Sequence, residues 1–183
     1  MPEKETIERA RQDKSEGKSP TTQAGEFVRE EIHHIREGKH GARSTKQAIA
    51  IGLSKARRAG VDLPPPQKGK TSERTRKSAE RAYARGHGEP PKRSPSAKRS
   101  RAIHRVLERE GTSAASHAAL SRQAHSAARQ RTAGERSAAA EKAAETKGPA
   151  KRHAAAMKAV RTKGHAGLAR AARKASRTRT SKT

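Results

Sequence analysis

Large apolar side chains are scarce in this chain, and that limits what it can fold into more than any other feature. Val, Ile, Leu and Phe number 16 of 183 residues. That is less than half of the roughly 20% below which a highly charged chain rarely buries enough surface to offset its ordering entropy. Nine of the sixteen, Phe27, Val28, Ile32, Ile35, Ile49, Ile51, Leu53, Val61 and Leu63, fall within residues 24–63, so an independently folded core is expected there. Most of the other hydrophobic residues are alanine, which favours helix but fills little space. A large enclosed active site is not expected.

Two amphipathic helices stand out in that region. Ser19-Pro20 supplies a cap and a proline at the first helical position, where a missing N–H costs nothing. Ala24, Phe27, Val28, Ile32 and Ile35 then recur at spacings of three and four, and Gly38 closes the segment. The second helix runs from Ser44 to Gly60. Ser44 and Gln47 have the spacing of a capping box, Ile49, Leu53 and Ala56 form its stripe, and Arg57 and Arg58 suit the negative end of the helix dipole. The short connection between them predicts an antiparallel hairpin or a helix-turn-helix. A weaker helix over 72–85 offers only Ala79, Ala82 and Tyr83 as apolar contacts. So small a module leaves the Phe27/Ile32/Ile35 stripe as the expected face of a homodimer.

The sequence therefore divides into a polar charged segment at 1–18, a helical module at 19–86, a Pro/Gly linker at 87–96 and a basic low-complexity tail at 97–183. The expected class is all-α: a helical hairpin or three-helix module followed by a largely disordered Ala/Lys/Arg-rich tail. Within that tail, Ala138–Gly148, Ala154–Gly164 and Arg170–Thr178 form a 16-residue repeat with Lys142, Lys158 and Lys174 in register. Each unit forms two or three turns and ends at a Thr-Lys-Gly breaker in the first two copies. Helices that short are marginal in isolation, so the tail is expected to become helical only when bound phosphates neutralise its self-repulsion.

Charge points to the partner. The chain carries 44 Lys+Arg against 18 Asp+Glu, a net of +26. Its first 37 residues are near neutral, and the basic excess grows along the chain. Such a surface draws polyanions and gains from the counterions they release. Double-stranded DNA is the expected partner, with RNA as the alternative and no membrane. Phe27 and Tyr83 are the only aromatic residues, too few to stack unpaired bases. Phosphate contact by Lys and Arg remains, which positions a protein without reading sequence. The residues expected to carry it are Arg43, Lys46, Lys55, Arg57 and Arg58 in the head. In the tail they are Lys142, Lys147, Lys151, Arg152, Lys158, Arg161, Lys163, Arg170, Arg173, Lys174, Arg177 and Arg179. Ser94-Pro95-Ser96-Ala97-Lys98-Arg99 has the form of a Ser-Pro basic turn.

Catalysis finds little support. There is no cysteine, hence no disulfide or thiolate zinc site, and no HExxH, Gly-x-Ser-x-Gly or phosphate-loop motif occurs. His33 and His34 point in different directions from successive helical positions, so each histidine is read as a solvated polar residue, and neither metal nor cofactor is expected. No apolar run approaches the roughly 20 residues of a membrane span, and the acidic start Met1-Pro2-Glu3-Lys4-Glu5 is unlike a secretory signal. A cytoplasmic, nucleoid-associated location is expected.

The stretch from Gln23 through Phe27-Val28-Arg29-Glu30-Glu31-Ile32-His33-His34-Ile35 and Ser44-Thr45-Lys46-Gln47-Ala48-Ile49 to Gly60 resembles a family of short, uncharacterised basic bacterial proteins labelled as DNA-binding. The likeness extends over residues 1–90. The Ala/Lys-rich tail is similar to those of bacterial histone H1-like proteins. These resemblances imply non-specific DNA binding and bring no catalytic residue with them. Two other readings compete: a ribosome- or RNA-associated basic protein, and a hydrophilin-like stress protectant, which a mean hydropathy of −1.15 would suit but a charge of +26 would not.

Overall fold

The computed structural model describes residues 2–90 and 96–180. The Ser94-Pro95 turn and the 91–95 part of the linker lie outside the described residues. Those described form seven α-helices and no β-strand: α1 (Lys4–Ser15), α2 (Pro20–Arg36), α3 (Thr45–Arg58), α4 (Glu73–Gly86), α5 (Ala97–Arg109), α6 (His117–Arg129) and α7 (Ala133–Thr180), with a 3₁₀ turn at Ser113–Ala115 before α6. The chain divides into two compact units, Met1–Ala128 and Arg129–Thr183.

The first unit is built on α2 and α3. Pro20 opens α2 after an extended Ser19. Ser44 caps α3 by accepting the Gln47 N–H at 3.2 Å, while the Gln47 side chain accepts from the Arg43 N–H at 3.0 Å. The reciprocal half of the expected capping box is thus displaced by one residue. The two helices run antiparallel, because Ala24 and Phe27 share an apolar cluster with Ala56 whereas Ile32 and Ile35 share another with Ala48. At the crossing the backbones nearly touch. A Cβ added to Gly52 would stand 2.7 Å from the Val28 Cα, so only glycine fits there without a shift.

The N-terminal segment, expected to be merely polar, is α1. Its Thr6 and Ala10 are buried, and Ile7 packs on the Phe27 cluster. Arg9 Nε donates to Glu26 at 2.7 Å and the Glu3 N–H to Glu30 at 3.1 Å, fixing α1 to α2. At the other end of the core, residues expected to begin the tail belong to the same unit. The Gly41 N–H donates to the Leu107 carbonyl at 2.8 Å, Arg36 Nε to that of Ala115 at 2.9 Å, and the Thr45 hydroxyl to that of Ala114 at 2.7 Å. Ala114 and Ala115 are buried with Ile32 and Ile35. Phe27, Ile32 and Ile35 are accordingly 1%, 7% and 0% exposed within one chain, and the stripe expected to dimerise is already covered. The sequence reading weighed large apolar residues alone; here small ones, Ala10, Ala114 and Ala115, complete the core.

The second unit corrects the expected fold. Its basic tail is not disordered: α7 runs from Ala133 to Thr180, interrupted at Gly148 (φ 67°, ψ 168°) and Gly164 (φ 63°, ψ 168°). That conformation is essentially restricted to glycine. The breakers therefore act as joints between helical stretches rather than as ends. The repeat recurs in the side-chain bonding, since the hydroxyls of Thr146, Thr162 and Thr178 each donate to the carbonyl four residues earlier, at 2.8, 2.8 and 2.9 Å. Each stretch between the joints is about fifteen residues of alanine-rich helix, longer than the two or three turns read for a repeat and near the length at which such helices hold.

Candidate nucleic-acid interface

The expected head residues part company. Arg43 and Lys46 are exposed at the start of α3. Lys55 and Arg57, expected on a basic outer side, are engaged inside the unit. Lys55 Nζ lies 2.8 Å from Glu31 Oε2 and 3.2 Å from Glu30 Oε1. Desolvation works to lower its pKa, but the hydrogen bonds and charges of Glu31 and then Glu30 outweigh it and hold the ammonium above its ordinary value. Arg57 is 7% exposed and donates to the carbonyls of Leu63 at 3.0 Å and Pro64 at 3.3 Å. Burial lowers its pKa, though a guanidinium stays charged. Arg58 is exposed; desolvation and then the like charge of Arg85 lower its pKa from the usual value.

Arg43 and Lys46 gain a neighbour that sequence reasoning missed. A groove of about 500 Å³ lies between the start of α3 and α6. Arg43, Lys46 and Arg122 line it together with Ser44, Ser113, Ser116 and Ser126, and no carboxylate does among the described residues. Two helices begin at its edge. Ser44 caps α3, and the Ser116 hydroxyl accepts the Ala119 N–H of α6 at 3.2 Å. First-turn N–H groups have no intrahelical acceptor and carry partial positive charge, which suits an anion. The missed signal was Ser116, three residues before an amide it caps, within sequence read as unstructured.

In the second unit, Lys142, Lys147, Lys151, Arg152, Lys158, Arg161, Lys163, Arg170, Arg173, Lys174 and Arg177 are all exposed. The Arg179 side chain lies outside the described residues.

The histidines also differ from expectation. Those of His34 and His40 are only 13% and 21% exposed. With Glu31 they form a group whose potential ligand atoms lie within 4.8 Å of one another.

Comparison with known proteins adds one finding. Residues 11–68 match the model of a family of unknown function, DUF6496. This segment spans α2, α3 and the Glu31/His34/His40 group. No curated protein and no solved structure matches the chain. Among the described residues no helix is long and apolar enough to cross a membrane.

Proposed function

We propose that this chain binds duplex DNA through its phosphates, without reading base sequence. One observation carries the reading: the groove between α3 and α6, where Arg43, Lys46 and Arg122, four serines and two helix starts converge with no carboxylate among the described lining residues. That donor set matches a tetrahedral oxyanion, with guanidinium groups for bidentate contact and an ammonium as a point charge. The exposed Lys and Arg of α7 add charge that positions a backbone and carries no sequence information. Lys55 and Arg57 take no part, because their charges are committed to Glu30, Glu31 and the Leu63–Pro64 carbonyls.

The test is a salt series on the full chain with two duplexes of unrelated sequence and one RNA hairpin. If eight cations engage phosphate, log K should fall against log salt with a slope near −7, at about −0.9 per contact, equally for both duplexes. Replacing Arg43, Lys46 and Arg122 together by alanine should make the slope shallower by about 2 to 3. A wild-type slope weaker than about −2 would reject phosphate binding. An unchanged slope in the triple variant would reject the groove. Tighter binding to the hairpin than to either duplex would put RNA in the place of DNA.

A further inference from the structure

Among the described residues Glu31 is the most deeply buried charged side chain. It is 0% exposed, and apart from the Lys55 ammonium neither carboxylate oxygen has a hydrogen-bond donor. Lys55 Nζ approaches Oε2 at 2.8 Å, but the same ammonium also serves Glu30, whose side chain is 2% exposed. Two buried carboxylates therefore share one lysine, and desolvated negative charge with too few donors is costly.

The space beside Oε1 is occupied by imidazole. His40 Nε2 stands 3.4 Å from Glu31 Oε1, and the His34 ring meets that of His40 edge to face at 6.3 Å between centroids. Each ring is oriented by a second contact. His40 Nδ1 is 3.2 Å from the Gly41 carbonyl, an acceptor that takes the Nδ1 proton and turns Nε2 toward Glu31. His34 Nε2 is 2.8 Å from Glu3 Oε1, which turns Nδ1 inward, 4.0 Å from Glu30 Oε1. A carbonyl behind one histidine and a carboxylate behind the other is the outer-shell arrangement that fixes the tautomer of metal-binding imidazoles.

From this geometry we infer a binding site for one divalent transition-metal ion, of which Zn²⁺ fits best, held by Glu31 Oε1, His34 Nδ1 and His40 Nε2. A tetrahedral site with bonds of about 2.1 Å has ligands about 3.4 Å apart, and the Glu31–His40 pair already has that separation. Glu31, His34 and His40 each offer a ligand atom within 4.8 Å of the others, so His34 closes on the same point by a side-chain shift of about 1.5 Å. Two imidazoles and one carboxylate favour zinc over magnesium or calcium, which prefer all-oxygen shells. Three protein ligands leave the fourth position to water. Glu31 and His34 come from one face of α2, while His40 comes from the connection to α3. The ion would thus tie that connection to α2, and Lys55 would keep Oε2.

Untagged full-length protein titrated with Co²⁺ as a spectroscopic stand-in tests this. One equivalent should bind and give the intense visible absorption of tetrahedral Co²⁺, and Zn²⁺ should displace it stoichiometrically. His34→Ala and His40→Ala should each weaken binding at least tenfold, with His40→Gln used if the alanine variant does not fold. His33→Ala should bind as the wild type does, because His33 is an exposed neighbour pointing elsewhere. A weak octahedral spectrum, or equal loss of affinity in His33→Ala and His40→Ala, would mean scattered binding by surface histidines and would overturn the site.

Discussion

Arg57 donates to two carbonyls of the segment that follows its own helix, whereas Arg58, one residue on, faces solvent. Consecutive helical residues point about 100° apart, so a basic pair at a helix end cannot share one role. Sequence reading assigned Lys55, Arg57 and Arg58 alike to phosphate contact. What separates them is tertiary: residues 61–64 fold back along α3 and bring carbonyls to Arg57, while α2 brings two glutamates to Lys55. Neither approach leaves a mark at the lysine or arginine itself. Tyr83 offers a cleaner residue-scale test, since it is the only tyrosine and there is no tryptophan. Its hydroxyl donates to Asp62 Oδ1 at 2.6 Å. That hydrogen bond, then desolvation, then the charge of Asp62 raise the phenol above its ordinary value of 10.0. Since the folded value exceeds the unfolded one, the contact contributes stability below about pH 10. That contribution is lost as pH rises through the folded value. Phenolate absorbance should therefore have its midpoint above 10 in the native protein, and Asp62→Asn should bring it back toward the ordinary value. An unchanged midpoint in the variant would rule out Asp62 as the cause.

At the scale of elements, α3 shows how size can mislead. Its stripe was read as Ile49, Leu53 and Ala56, yet the residues buried against α2 are Ala48, Gly52 and Ala56. Ile49 and Leu53 are only half-buried and line a groove shared with Ser78 and Ala79 of α4. Hydropathy ranks a large side chain as the better core residue, but two helices that cross closely require small ones. The positions of both helices were legible from caps, period and terminators; the depth at which they pack was not. Gly52→Ala measures that depth, because two effects oppose. Alanine improves helix propensity by about 1 kcal/mol. Its Cβ would meet the Val28 Cα at 2.7 Å and the Phe27 carbonyl oxygen at 3.0 Å, both backbone atoms that cannot rotate away. Overpacking of that kind costs about 1–3 kcal/mol, so sterics should prevail and the melting temperature of the first unit should fall by several degrees. A variant more stable than wild type would show that the helices can separate freely.

For the whole molecule, the two units owe their order to different physics, and heating should separate them. Residues 1–128 hold two apolar clusters with Phe27, Ile35 and Ala115 almost fully buried, which is the basis of cooperative unfolding. In α7 no residue with a described side chain is buried, so its helix rests on local bonds and alanine propensity. The joints at Gly148 and Gly164 divide it into stretches near the length at which isolated helices become marginal. Charge adds to this, because residues 129–180 hold 15 Lys+Arg against 3 Glu. Sequence reading gave each repeat only two or three turns, where the structure has stretches of about fifteen residues, and so placed the balance wrongly on the side of disorder. The expected melt, followed by far-ultraviolet circular dichroism, has two parts. A broad, gradual loss starting at low temperature should carry about a third of the helical signal, since α7 contributes 48 residues, and a sharp transition should follow. Raising salt toward 1 M, where screening acts over about 3 Å, should shift the broad phase upward by relieving repulsion along α7. Gly52→Ala should move only the sharp one. A single sharp transition that takes the whole signal with it would mean that α7 is held by burial after all, and the division into a packed unit and a locally stabilised one would fall.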